Sequence, residues 1–233
     1  MDFYMKHILS LISFIGLVLA TSLHCQAQTL ENYFVTGLKS QLQLNQETRS
    51  ALINGYRDKK ETTLKMKNGS TACILEYKEN DYLKIKTSDQ GYFSLKRWTI
   101  EKQTIFGLSW WMCSAQCDGV MKMVKPNSLQ QPKQMPLITL ADFANVDSLK
   151  HDSLTVDDFV KKFEIDFIHY EFTKSDTIWV INNTPEFLDQ LRQRKYKKYW
   201  KGNALPFIQK NGDFIRGEIT TKNLENKKDQ NGK

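Results

Sequence analysis

Residues 64–77 read LKMKNGSTACILEY, two short runs of alternating residues on either side of Asn68-Gly69. Asn-Gly is the strongest short hairpin signal, because both residues tolerate the positive φ that a two-residue turn needs between right-twisted strands. The period of two continues through DYLKIKTS (81–88), GYFSLKRWTI (91–100), QTIFGLSWWMC (103–113) and VMKMVK (120–125), with turn residues at Asp89, Gly91 and Gly119. Runs of this kind, short and separated by turn residues, read as an antiparallel meander. The alternation places Leu83 and Ile85 on one face and directs Lys84 and Lys86 to water.

Outside the meander the period changes. Residues 30–58 read as helical, and in LNQETRSALINGYRDKK (44–60) Asn45 is a candidate N-cap. Thr48, Leu52 and Tyr56 then share a face with Ile53 beside them, and Gly55 weakens the last turn. KPNSLQQPKQMP (125–136) is polar, proline-bearing and aperiodic, a connection between lobes at 28–125 and 137–218. In LTVDDFVKKF (154–163), Thr155 and Asp158 form a capping box, and Leu154 and Phe159 a hydrophobic staple. EIDFIHYEF (164–172) and DTIWVIN (176–182) form a hairpin about Lys174-Ser175. TPEFLDQLRQRKYKKYW (184–200) opens a further helix, with Thr184 as cap and Pro185 in first position. Residues 219–233 read as a disordered tail. The expected fold is therefore α+β, an antiparallel β-meander with a helix–hairpin–helix C-terminal lobe, in one domain over 28–218.

The N-terminus addresses the chain. Lys6 and His7 precede an apolar run from Ile8 to Ala20, followed by Cys25-Gln26-Ala27. A basic start, a short apolar run and a small-residue cut site describe a secretory signal peptide, here 1–27. The run is shorter than the roughly 20 residues of a membrane-spanning helix. The expected location is the periplasm or the medium. The alternative, a lipoprotein acylated at Cys25, has His24 before the cysteine and Ser22 three before it, where small and aliphatic residues belong. The net charge of +7 favours solubility and weak attraction to anionic surfaces.

After cleavage three cysteines remain, Cys73, Cys113 and Cys117. In an oxidising compartment Cys113 and Cys117 can staple the tip of a hairpin, a closure contributing about 2 kcal/mol. Cys73, beside Ile74 and Leu75, reads as a buried small hydrophobe. Two rival readings use the same pair. A thiol oxidoreductase would have Cys-x-x-Cys opening a helix, which depresses a thiol pKa, whereas this spacing is longer and the context is strand–turn–strand. A structural zinc site needs four ligands, and His151 and His169 do not stand at ligand spacing from the cysteines, so neither metal nor cofactor is expected.

The sequence shows no G-x-S-x-G, phosphate loop or H-E-x-x-H, and no catalytic residue is assigned. Asp147, Asp152, Asp157 and Asp158 are plentiful acids, but helix starts attract acids electrostatically. RQRKYKKYWK (192–201) carries Arg192, Arg194, Lys195, Lys197, Lys198 and Lys201 among Tyr196, Tyr199 and Trp200. Such a cluster can hold an anionic polymer, lipid headgroups or single-stranded nucleic acid, and nucleic acid is the weakest candidate outside the cytoplasm. The simpler reading is a helix end with its rings packed inward and with Leu188, Leu191, Tyr199 and Trp200 near one face.

With R-x-x-L-I-x-x-Y at Arg49, Leu52, Ile53 and Tyr56, CSAQCDG at 113–119 and TPEFL…YWKGNALPF at 184–207, the chain resembles a family of exported Bacteroidetes proteins known as domain of unknown function 3256. The resemblance covers roughly 31–210, and Gln209 falls where it leads one to expect an aromatic. It implies export and assigns no activity. It also implies that the Asp-Ser/Thr-aliphatic triplets at Ser148, Ser153 and Thr177 are candidate O-glycosylation sites. The expected function is a non-enzymatic binding or assembly module of the cell envelope, with an envelope protein or anionic polymer as partner. The alternative is an envelope enzyme, a thiol oxidoreductase using Cys113 and Cys117 or a hydrolase.

Overall fold

Strand pairing in the first sheet follows sequence order: β1 (Thr63–Lys65), β2 (Thr71–Lys78), β3 (Tyr82–Lys86), β4 (Gly91–Ile100), β5 (Gln103–Cys113) and β6 (Cys117–Val124), every pair antiparallel. This computed structural model describes residues 28–38, 42, 44–58, 63–66, 69–126 and 131–222. The expected signal peptide with Cys25, Asn68 of the first turn and residues 223–233 of the expected tail lie outside the described residues. The hairpin forms, but three residues lie between its paired ends, Met66 and Ser70, where the sequence leads one to expect two. Met66 N–H donates to the Ser70 carbonyl at 2.7 Å, and Gly69 holds φ +87°. At the β4–β5 turn, Glu101 and Lys102 take positive φ without any glycine.

Both faces of this sheet are covered. Leu83, Ile85, Phe93, Leu95, Phe106 and Leu108 pack under a helical layer that brings Leu30, Phe34, Leu52 and Ile53. The helical layer is broken where the sequence reads as one helix. A turn at Leu30–Asn32 runs into a π-helical turn, Tyr33–Gly37, and α1 (Gln46–Arg57) starts afresh at the Asn45 cap, which accepts from Thr48 N–H at 2.8 Å. The inward residues of α1 are Arg49, Leu52 and Ile53, while Thr48 is half-buried and Tyr56 exposed. Arg49 donates through Nε and Nη2 to the Val35 carbonyl, at 3.2 and 2.8 Å, and through Nη1 to Leu44, so it satisfies carbonyls that the break leaves open.

The opposite face meets a second sheet, β7 (Ile168–Phe172), β8 (Thr177–Asn182), β9 (Ala204–Lys210) and β10 (Asp213–Arg216), in the order β10-β9-β8-β7. The expected hairpin is thus half of a four-stranded sheet. Its β9–β10 turn is a second Asn-Gly, Asn211 at φ +53° and Gly212 at +89°. Tyr82, Trp98, Ile105 and Met123 of the first sheet share a core with Phe172, Ile178, Val180, Leu205 and Phe207 of the second. Gly107 makes room for this contact, since a Cβ there would lie 2.6 Å from Trp98 and 2.7 Å from Phe172.

Short helices close one end. α2 (Val146–His151) leads to α3 (Val156–Val160), whose Thr155–Asp158 capping box is formed. Leu154 and Phe159 lie in one cluster. The helix expected at 184–200 is divided into α4 (Thr184–Phe187) and α5 (Gln190–Tyr196), because Leu188 is extended and Asp189 caps a new start, accepting from Arg192 N–H at 2.9 Å. The Thr184 hydroxyl accepts from Phe167 N–H at 2.9 Å rather than capping its helix. Order also continues past 218. Thr220 and Ala204 exchange backbone hydrogen bonds at 2.9 and 3.0 Å, and the Asn203 amide holds both backbone groups of Lys222.

Candidate functional site

Period two tells which residues share a face, not what lies against it. Lys84, Ser94, Lys96 and Ser109 occupy the face that the second sheet covers, and the last three are fully buried. Lys84 therefore does not face water. Its ammonium lies 4.0 Å from the Glu171 carboxylate of β7 and 5.4 Å from the Trp111 ring centroid. Lys222 reaches the same carboxylate from the other side, at 3.1 Å, and lies over Trp179 at 5.3 Å. Glu171 thus joins two lysine–tryptophan pairs, and Tyr92 extends the row by stacking on Trp111 at 5.5 Å. Burial by itself would raise the Glu171 carboxyl. The His169 hydrogen bond and the nearby charges of Lys84 and Lys222 outweigh it and hold the group well below the usual carboxylate range.

His169 is buried at the centre of this seam, its ring 5.9 Å from that of Trp111. The Asn183 Nδ2 donates at 2.8 Å to the Cys117 carbonyl and stands 2.8 Å from His169 Nδ1. A carbonyl only accepts, which fixes the amide orientation, so His169 Nδ1 is the acceptor and Nε2 carries its proton toward Glu171 Oε1, 3.4 Å away. Both ring nitrogens are occupied. The Ser109 hydroxyl donates to the Tyr170 carbonyl at 2.5 Å. Lys96 pairs with Asp81 at 2.8 Å and donates to the Lys174 carbonyl at 3.3 Å. Asp81 is lowered although burial opposes it, by hydrogen bonds from Lys78 and Lys96. A base, a hydroxyl, an amine and a carboxylate all lie in the seam, where Ser109, Lys96 and Glu171 join one sheet to the other and His169 is held by Glu171 of its own strand and by Asn183.

The Cys113–Cys117 disulfide closes the tip of the β5–β6 hairpin where the two residues are cross-strand partners. Cys117 is buried and Cys113 half-buried, and both end strands rather than opening a helix. Cys73 is half-buried on the Lys86 side of its strand, not in the apolar core, and burial pushes its thiol up against the opposing influence of Lys86. Among the described residues no group of three His, Cys, Asp or Glu side chains could hold a metal ion, and no helix is long and apolar enough to cross a membrane. An open depression of about 150 Å³ beside β6 is lined by Met121, Gln134, Met135, Pro136, Leu137 and Tyr170. There Gln134 accepts from Met123 N–H at 2.9 Å and donates back at 3.0 Å, covering part of the strand edge.

The basic stretch divides by residue type. Arg192, Arg194, Lys195, Lys197, Lys198 and Lys201 are exposed, Tyr199 is buried, and Tyr196 and Trp200 are half-buried. The three rings pack on Phe159 of α3, at 6.1, 5.5 and 4.7 Å for Tyr196, Tyr199 and Trp200. Leu191 departs from the inward face expected of it and is 78% exposed. Lys198 pairs with Asp152, which also accepts from the Tyr199 hydroxyl at 2.5 Å and meets His151 at 3.0 Å. Those three hydrogen bonds hold the Asp152 carboxyl well below its ordinary value. Of the triplet residues, Ser153 is exposed at φ +57°, while Ser148 and Thr177 are half-buried.

A family model described as "Protein of unknown function (DUF3256)" matches residues 22–214. The chain belongs to that family. No curated protein matches it significantly. Among solved structures, a domain of an uncharacterized protein from Porphyromonas gingivalis W83 is similar, with a TM-score of 0.61 at 17% identity, covering 81% of this chain and 98% of that one. At that identity the likeness is one of fold. The residues that carried the resemblance to DUF3256 have structural work: Arg49 closes the helical break, Cys113 and Cys117 close the hairpin, and Ala204, Leu205 and Phe207 lie buried in β9. Sequence reasoning missed the seam. Only the basic and hydroxyl residues at alternate positions of β3–β5 marked it, and they read equally well as a solvated face.

Proposed function

We propose that this DUF3256 chain is an exported, non-enzymatic binding or assembly module of the cell envelope. The observation that supports this reading is the engagement of buried His169: Asn183 occupies one nitrogen and Glu171 the other. Catalysis needs a base within reach of a substrate proton, whereas both nitrogens of this buried imidazole are already engaged. The stapled hairpin suits an oxidising compartment. The outward basic surface suits an anionic envelope partner, and exposed Ser153 is the triplet residue best placed for a glycan.

Two measurements test the reading. Expression of the full chain in a Bacteroidetes host, fractionation and N-terminal sequencing should give envelope or medium protein cut after Ala27; an intact cytoplasmic chain, or an acylated Cys25, would replace that localisation. In a thiol–disulfide exchange assay the chain should be no faster than its Cys113→Ser/Cys117→Ser variant. Exchange that the double variant abolishes would establish the oxidoreductase alternative.

A further inference from the structure

We infer that α4, α5 and the basic residues after them form a docking surface for an anionic lipid bilayer. This specifies the partner of the binding role proposed above and rests on it. The starting observation is that the protruding residues of this stretch are not all charged. Leu191 is 78% exposed and Phe187 50% exposed, in a segment where Tyr196 and Tyr199 turn inward to Phe159. Helical spacing sets Leu191 beside Arg194 and Lys195, on the side of α5 away from Tyr196. The two short helices are fixed relative to each other, because Gln193 Nε2 donates to the carbonyls of Glu186 and Leu188, at 3.3 and 2.8 Å. Phe187 in turn rests on Phe167, with ring centroids 4.7 Å apart. Ile165, two residues before Phe167, is also 57% exposed.

The charges around these side chains favour a negative partner. Asp189 is taken by Arg192 at 3.4 Å, and Asp152 by Lys198. Arg194, Lys195, Lys197 and Lys201 are exposed, against exposed Glu186 beside Phe187 and Glu164 and Asp166 on either side of Ile165. Exposed Leu and Phe contribute nothing to holding a soluble polyanion, but inserted at the boundary of headgroups and acyl chains they bury apolar area while the cations meet the phosphates. Lysines and arginines next to an anionic surface each add to the attraction, which falls away with salt. A bilayer is the partner that uses both halves of this surface.

The test is sedimentation of the purified chain with phosphatidylglycerol-containing vesicles, with phosphatidylcholine vesicles and inorganic polyphosphate as comparisons. Binding should be at least about tenfold stronger to the anionic vesicles than to the neutral ones and weaken with salt. Leu191→Gln, alone and with Phe187→Gln, should reduce vesicle binding several-fold and leave polyphosphate binding unchanged. The single variant is kept because Phe187 also supports Phe167, and melting curves check folding of both. Arg194→Gln/Lys195→Gln/Lys197→Gln should remove the preference for anionic vesicles. Equal binding to both vesicle types, or binding that ignores Leu191 while following polyphosphate, would overturn the inference. Because the assay needs no export, its failure would remove the surface and leave the localisation test untouched.

Discussion

The Asn183 side chain donates to the backbone carbonyl of Cys117 at 2.8 Å, tying the stapled tip of the first sheet to the end of β8 in the second. The same amide nitrogen serves His169 Nδ1, so one residue fixes a hairpin tip and an imidazole together. Asn183→Ala would leave a buried carbonyl and a ring nitrogen without donors. Each unsatisfied buried group costs about 1–3 kcal/mol, and denaturant unfolding should show a loss in that range or above. Asn183→Asp should be at least as harmful, since it presents an acceptor to an acceptor.

Loss of the disulfide should be milder. The Cys113→Ser/Cys117→Ser variant should fold and lose about 2 kcal/mol or less, because the closed loop is small and its strands are already paired. Cys73 should alkylate more slowly than a free peptide thiol, its thiol pushed up by burial, but without waiting for unfolding, since it is only half-buried. Timed alkylation followed by intact mass reads both thiol states; three modified cysteines in native, unreduced protein would contradict the staple.

The contrast between the two sheets shows what the sequence makes legible. The meander is local, each strand pairing with the next, so turn residues and alternation suffice to order β1 to β6. In the second sheet β9 returns to β8 only after two short helices, and its Pro206 weakens a strand reading, although Asn211-Gly212 was the same signal that marks the first hairpin. The seam was hidden for a different reason. Ser94, Lys96 and Ser109 alternate with apolar residues as a solvated face does, and only the arrival of β7 turns that face into an interior. The short helices depart from their expected spans where a local cap wins, as Asp189 does over continuation from Leu188.

The seam should make stability depend on acid. Glu171 has a depressed carboxyl in the fold, so its contribution is fully present above its unfolded pKa of about 4.3 and is lost as pH falls from there through the folded value. In that window the unfolded chain takes up a proton that the native chain does not. Glu171→Gln removes the linkage. Unfolding free energies measured between neutral pH and about pH 3 should fall less steeply for the variant, by up to about 1.4 kcal/mol per pH unit. Asp81, Asp142 and Glu31 are depressed as well and keep a residual slope. Parallel curves for the two proteins would show that Glu171 is not held as the geometry indicates.

Gln209 offers a gain rather than a loss. It lies in β9 two residues after Phe207, hence on the inner face, and it is buried with no hydrogen-bond partner for its Nε2 among the described residues. Its backbone is satisfied, N–H donating to the Asp176 carbonyl at 3.0 Å, so a new side chain need not disturb the strand. A buried amide nitrogen without a partner costs roughly 1–3 kcal/mol on protein scales, and an apolar side chain of similar volume removes that cost. Gln209→Leu should therefore raise stability by about 1 kcal/mol, read as a shift of the denaturant midpoint with an unchanged slope. The family resemblance, which leads one to expect an aromatic here, points the same way, but Phe is larger and must displace the inner-face neighbours. Gln209→Leu should thus do better than Gln209→Phe. A clear destabilisation by leucine would mean that the amide is hydrogen-bonded in solution, and nitrogen-edited spectra of the Gln209 side chain would then show protected protons.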